Sequence, residues 1–292
     1  MILIDGKKIA QQIRAELKEK VNELQSQGKK VPGLVTIVVG DNPASHSYVN
    51  SKSKACTELG MLSAVEKLPT DTTLKRLLDL VEKYNKDENF HGILVQLPLP
   101  KHMDEIKVIQ KILPEKDVDG LNPVNLGKLI TGEDALYPCT PVGIQELLKR
   151  YNIETKGKHV VVAGRSNIVG KPIANIMLQK KEYANSIVTV CHTGANDLSL
   201  YTKTADILIA AIGQPSYIKA DMVKEGAVVI DVGTNRVEDK SLPKGYRLVG
   251  DVDFENVAPK TSYISPSPGG VGPMTIAMLL QNTYKAYTAK YK

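Results

Sequence analysis

Tryptophan is absent and phenylalanine occurs only twice in 292 residues. With so few large flat rings, the chain lacks a stacking platform for single-stranded nucleic acid. Lysine and arginine outnumber aspartate and glutamate by 38 to 32, but they are spread along the chain rather than gathered in a stripe. No nucleic-acid partner is therefore expected. The net charge of +6 suits solubility or the attraction of small anions. Cysteine is scarce too. Cys56, Cys139 and Cys191 are odd in number and far apart, which fits neither a disulfide framework nor a zinc site. The five histidines (His46, His91, His102, His159, His192) never fall at metal-ligand spacing, so no metal is expected. No apolar run approaches the ~20 residues of a membrane span. Met1-Ile2-Leu3-Ile4-Asp5-Gly6 leads into a lysine-rich segment without the apolar core of a signal peptide. A cytoplasmic protein with no membrane contact is expected, or one whose targeting segment is absent.

The remaining composition is that of a globular protein, 42% hydrophobic and 24% charged. Its length predicts two domains. Ile9, Ile13, Leu17, Val21 and Leu24 recur at helical spacing, and Gly28 stops that helix. A strand over 34–39, a helix over 44–59, a strand over 62–68, a helix over 74–85 and a buried strand in 92–100 follow. This alternation predicts an α/β layer. Tyr137-Pro138-Cys139-Thr140-Pro141 reads as a hinge. Beyond it, strands are expected at 160–163, 187–191, 207–211, 227–230 and 247–249, the spacing of a doubly wound, Rossmann-like parallel sheet. A Pro/Gly loop over 265–273 precedes a last helix over 274–287. The expected domains are 1–139 plus 274–292, and 140–273.

The second half is organised around Lys158-His159-Val160-Val161-Val162-Ala163-Gly164-Arg165-Ser166-Asn167-Ile168-Val169-Gly170-Lys171-Pro172. An apolar strand runs into a glycine-bounded loop and then a helix start, which offers free N–H groups to phosphate. The spacing is not G-x-G-x-x-G, so a plain strand–turn–helix junction stands as the other reading. The next strand ends Val190-Cys191-His192-Thr193-Gly194, without the carboxylate that holds the ribose of NAD. Arg165 and Ser166 could meet a 2′-phosphate instead, favouring NADP, or Arg165 simply caps a surface loop. In the first half Tyr48, Lys52 and Cys56 lie at successive i+4 positions of one helix. A pocketed lysine loses solvation of its charged form and can exchange protons near neutrality. Gln96, at a strand's carboxyl end, could orient it. The competing reading of Lys52 is a helix lysine reaching to solvent. Asp119 is either an acceptor for a ring amino group or a turn residue before Gly120.

Five stretches together resemble the bifunctional methylenetetrahydrofolate dehydrogenase/cyclohydrolase family along essentially the whole chain. They are Tyr48-Val49-Asn50-Ser51-Lys52, Val95-Gln96-Leu97-Pro98-Leu99-Pro100, Lys116-Asp117-Val118-Asp119-Gly120, Val162-Ala163-Gly164-Arg165-Ser166 and Pro268-Gly269-Gly270-Val271-Gly272-Pro273-Met274-Thr275. The resemblance implies oxidation of methylenetetrahydrofolate with NADP, then hydrolysis of the methenyl product to formyltetrahydrofolate, in one-carbon metabolism. It implies that Lys52 handles protons, Gln96 tunes it, Tyr48 stacks on the folate and Asp119 holds the pterin. Val95, Leu97, Pro268, Gly269 and Gly270 would line the folate, and Gly164, Arg165, Ser166, Cys191, Thr193 and Thr234 the cofactor. It further implies two α/β domains with a cleft between them, folate and NADP domains respectively, the last helix returning to the first, and a homodimer. Two positions depart from the family pattern. Many relatives carry a basic residue near Gly194 and an aliphatic one at Thr234, so NAD stays open beside NADP. The alternatives are a shikimate-dehydrogenase-like NADP-dependent reductase and a folate- or nucleotide-binding module without chemistry.

Overall fold

Short, continuous apolar runs set the architecture. The computed structural model describes residues 1–242 and 245–291. β1 (Ile2–Leu3) leads into α1 (Gly6–Ser26), then β2 (Gly33–Val39), α2 (Pro43–Glu58), β3 (Leu62–Leu68), α3 (Leu74–Lys86) and β4 (Gly92–Val95). Three helices follow: α4 (Glu105–Lys111), α5 (Pro123–Thr131) and α6 (Cys139–Arg150). Next come β5 (His159–Ala163), α7 (Gly170–Leu178), β6 (Ile187–Cys191), α8 (Ser199–Thr202), β7 (Ile207–Ala210) and β8 (Val228–Asp231). The chain closes with β9 (Asn235–Glu238), β10 (Tyr246–Val249), α9 (Phe254–Val257), β11 (Tyr263–Ile264) and α10 (Val271–Lys290). No helix among the described residues is long and apolar enough to cross a membrane.

Two compact units result. One comprises Gln11–Cys139 and Ile276–Lys292, the other Met1–Ala10 and Thr140–Thr275. The first ten residues thus group with the second half, unlike the expected segment 1–139. The cause is β1, which pairs in parallel with β11. A two-residue strand is too short to show a period in sequence.

In the unit containing Gln11–Cys139, β2 is central, with β3 and β4 parallel on either side. Every residue of β2 is buried, as a strand covered on both faces requires. Val35, Ile37, Val39, Ile93 and Val95 pack with Leu77 and Val81 of α3. Burying one such aliphatic side chain contributes about 2 kcal/mol. α3 begins where Thr73 Oγ1 accepts from Arg76 N, and Lys83 and Lys86 complement the dipole of its last turn. The distal part of α10 belongs here: Asn282 Nδ2 donates to Val118 O and Tyr137 O, both at 2.9 Å.

Buried His91 ties this unit's sheet to α10. Its Nδ1 accepts from Gly33 N at 3.1 Å, and its ring meets Tyr287 edge-on at 5.0 Å. Burial, reinforced by Lys290, Lys116 and Lys30, pushes the imidazole from 6.5 down to about 4. The folded chain therefore binds fewer protons here than the unfolded one. The stability this confers is present above 6.5 and lost as pH falls to about 4, a change of about 3 kcal/mol. Thermal melts across that window should show His91→Gln less acid-sensitive than wild type. Equal acid sensitivity would contradict this.

In the other unit all six sheet strands run parallel, in the order β6-β5-β7-β8-β11-β1. The order reverses between β5 and β7, the switch point beyond which doubly wound sheets take ligands. The strand expected at 247–249 lies elsewhere: β10 pairs antiparallel with β9 in a separate two-stranded ribbon. The place beside β8 is taken by β11. Arg236 stacks over the Tyr246 ring at 4.0 Å, a cross-ribbon contact that suits a half-exposed hairpin. The last helix starts at Val271, inside the expected Pro/Gly loop.

Candidate active site

Helix periodicity decides where Lys52 points. Val49, Lys52, Ala55 and Cys56 form the buried stripe of α2, and Lys52 is only 9% exposed. Tyr48, one turn earlier, is 51% exposed and stands at the margin of that stripe. Its ring is available to a ligand. Lys52 Nζ donates to Gln96 Oε1 at 2.9 Å. Gln96 follows β4 directly; its N–H donates to Ile37 O at 2.8 Å and its Nε2 to Leu97 O at 2.7 Å. The acceptor oxygen is thus held in place. Burial lowers the Lys52 pKa against the opposing pull of Asp119. Burial likewise raises Asp119, with Lys52 acting in the other direction. The structure therefore brings Lys52, Gln96 and Asp119 together. Val95 turns its side chain into the core, and Leu97 packs against that core.

Three residues that support this cluster had not stood out as site residues. Buried Asp117 accepts from Gly120 N (3.2 Å), Asn122 N (2.7 Å) and Asn125 Nδ2 (3.1 Å), folding the loop that carries Asp119. Its burial pushes it up to about 6. The spacing to Gly120 was the available signal. A Cβ on Gly120 would meet the Tyr137 carbonyl carbon at 2.3 Å, so that loop lies directly against the chain entering α6. Cys139 Sγ donates to Val118 O at 3.2 Å, and burial keeps its thiol protonated. Asn282 completes the clamp from α10. Neither contact was visible in the sequence, because both span more than twenty residues.

At the switch point of the other unit, Gly164 has φ +142°, and a Cβ there would meet Ala211 O at 2.1 Å. A Cβ on Gly170 would meet Gly164 O at 2.3 Å. Both glycines are needed for the close backbone approach at the start of α7. Ser166 Oγ accepts from Val169 N (3.1 Å) and Gly170 N (3.3 Å), so it caps α7 as well as facing solvent. Ala163 pairs with Cys191, which places exposed Arg165 and Thr193 each two residues beyond one register. The Cys191 thiol points into the apolar core, and its carbonyl accepts from Gly164 N at 2.8 Å. Thr234 is exposed just after β8. Pro268, Gly269 and Gly270 form a tight loop, with Lys7 N donating to Gly269 O at 3.0 Å. Gly6 lies so close to Gly270 O that a Cβ would sit 1.8 Å from it. Among the described residues no group of three or more His, Cys, Asp or Glu is placed to hold a metal ion.

Two family models, tetrahydrofolate dehydrogenase/cyclohydrolase catalytic domain and NAD(P)-binding domain, match residues 4–119 and 138–291. The chain belongs to the tetrahydrofolate dehydrogenase/cyclohydrolase family. The first match contains Tyr48, Lys52, Gln96 and Asp119; the second contains Gly164, Arg165, Ser166, Cys191, Thr193 and Thr234. The bifunctional protein FolD of Chloroherpeton thalassium is 57% identical over 289 residues, covering 98% of each chain. The Campylobacter jejuni FolD dehydrogenase/cyclohydrolase structure is 49% identical, with TM-score 0.93 and 99% of both chains covered. The Trypanosoma brucei FolD structure, complexed with NADP cofactor and an inhibitor, is 40% identical with TM-score 0.95, covering 100% of this chain and 99% of that one. The family match displaces the shikimate-dehydrogenase-like alternative.

Proposed function

We propose that Lys52, Gln96 and Asp119 form the proton-handling site of this enzyme and that the loop following β5 holds NADP. As a family member the chain is bifunctional. It oxidises 5,10-methylenetetrahydrofolate to the methenyl form with NADP, and hydrolyses that product to 10-formyltetrahydrofolate. The observation that carries the site assignment is a buried lysine whose Nζ sits 2.9 Å from Gln96 Oε1, with a carboxylate beside it.

Bound NADP supplies the hydride acceptor. Gly164, Gly170 and the α7 start would hold its phosphates, with Arg165, Ser166 and Thr193 at the 2′-phosphate. The Cys191 backbone and Thr234 would line the rest. On the folate side, Tyr48 stacks on the pterin and Asp119 accepts from its amino group, while Val95 and Leu97 contribute backbone and edge. The nitrogens flanking the one-carbon bridge stabilise the methenyl cation, so oxidation mainly requires positioning.

In the hydrolysis, water adds to the methenyl carbon and its proton passes to neutral Lys52 Nζ. The carbon–N5 bond then breaks as the adduct's hydroxyl proton is lost to form the carbonyl and N5 takes up one proton, leaving the formyl group on N10 and one net proton on Lys52. An amine base suits this step, because it adds no permanent negative charge beside the cation. Gln96 keeps Nζ aimed. Asp119 raises the lysine pKa, so Asp119→Asn should move the rising limb of the hydrolysis pH–rate profile to lower pH. A limb that stays in place would contradict the coupling.

We assign folate catalysis to the unit containing Gln11–Cys139 and NADP binding to the unit containing Thr140–Thr275. A homodimer is supported by edge strand β6, where Ile187 and Val190 are 65% and 43% exposed. Three free, buried cysteines support a cytoplasmic location. The test mixes purified protein with methylenetetrahydrofolate and NADP or NAD, following reduced cofactor and the methenyl chromophore separately. NADP reduction followed by loss of the chromophore is expected. No reduction with either nucleotide overturns the dehydrogenase assignment.

A further inference from the structure

Two carboxylates at the carboxyl end of the six-stranded sheet have no part in the chemistry above. Asp251 is fully buried. Its Oδ2 accepts from two consecutive backbone groups, Ile212 N at 2.6 Å and Gly213 N at 2.8 Å, and its Oδ1 accepts from Asn235 Nδ2 at 2.9 Å. Asp231, at the end of β8, anchors Asp251 in turn. Its Oδ1 accepts from Asp251 N (2.9 Å) and Gly233 N (3.0 Å), and its Oδ2 from Val252 N (3.1 Å). Two glycines make room for the pair. A Cβ on Gly233 would lie 2.2 Å from Asp251 Oδ1, and one on Gly250 would lie 1.7 Å from Asp231 Oδ2. Among the described residues neither carboxylate has an ion-pair partner, so neighbouring N–H groups carry the whole task of solvating Asp251.

The placement of those N–H groups matters. Ile212 and Gly213 are the turn that follows β7, and Ala211 just before them is the residue against which Gly164 packs. This turn and the Gly164 loop are therefore the two sides of the switch-point crevice. Asn235, the first residue of β9, follows Thr234 at the end of the loop after β8. One buried carboxylate thus fixes both loops that border the crevice on the side away from β6.

We propose that Asp251 is a positioning residue for NADP: it holds the Ile212–Gly213 turn and, through Asn235, the Thr234 loop in the geometry that the nucleotide requires. This rests on the assignment of the crevice to NADP. A charged acceptor is needed because three donors converge on it. An asparagine could present its oxygen to the turn, but its NH2 would then face the Asn235 NH2, donor against donor.

The test compares wild type, Asp251→Asn, and the double variant Asp251→Asn with Asn235→Asp, which restores a donor–acceptor pair with reversed direction. NADP affinity is read both as the dehydrogenase KM and by direct titration of NADP into the protein. Methenyl hydrolysis without nucleotide reports on the other unit. For Asp251→Asn, NADP binding should weaken about tenfold or more, with hydrolysis within about twofold of wild type. The double variant should recover most of the lost affinity. NADP affinity unchanged in Asp251→Asn, hydrolysis falling in parallel with NADP binding, or no recovery in the double variant would each overturn the proposal. Failure of wild type itself to bind NADP would instead overturn the crevice assignment, so the two failures are distinguishable.

Discussion

Lys52→Ala should slow methenyl hydrolysis by about 100-fold or more, the usual range for removing a positioned general base, while folate KM changes by less than about threefold. The change removes the amine but leaves Tyr48 and Asp119, to which the folate contacts are assigned. Lys52→Arg should not rescue the reaction, since a guanidinium stays protonated and cannot accept the proton of water. Loss of fold is not the expected cause of inactivity. Burial disfavours the charged lysine, so its removal takes away little ionic stabilisation. Stopped-flow decay of the methenyl chromophore, with a melting curve on the same preparation, separates the outcomes. Near wild-type hydrolysis in Lys52→Ala would show that another group is the base.

Gly164→Ala should weaken NADP binding by about tenfold or more while methenyl hydrolysis continues. The native φ of +142° is open to glycine but strained for alanine. The added methyl would also sit 2.1 Å from Ala211 O, a backbone atom that cannot swing aside. The loop must therefore move relative to β7, carrying Arg165 and the start of α7 away from the crevice. Strain of this kind costs about 1–3 kcal/mol, so the melting temperature should fall as well. Isothermal titration with NADP reads the effect. Unchanged affinity would show that this loop does not hold the nucleotide.

Much of the fold was legible because the six- and three-stranded sheets are parallel and their central strands are buried. Strands such as β2 and β5 then appear as unbroken apolar runs, and their crossover helices set the spacing. The pairing of Lys52 with Gln96 was legible for a different reason: Lys52 lies on the buried stripe of a helix and Gln96 directly follows a strand, so local periodicity placed them. What escaped was short or distant. β1 and β11 are two residues each, and only their pairing with one another and with β8 makes them strands. β10 had the composition of a sheet strand, but β11 occupied the position beside β8. Cys191 closes β6, where strand alternation turns its thiol inward and leaves Val190 exposed. Asp117, Asp251 and Asn282 act through hydrogen bonds whose partners no local pattern reveals.

The claim that a neutral Lys52 amine drives the hydrolysis is tested most directly by the pH dependence of kcat for methenyl hydrolysis in the wild-type enzyme. Only the deprotonated amine can accept the proton, so the rate must rise as pH passes upward through the lysine pKa and then level off. Because burial depresses that pKa, the midpoint should lie below the ordinary lysine value of 10.5. A rate that is flat with pH, or one that falls as pH rises through neutrality, would contradict the account.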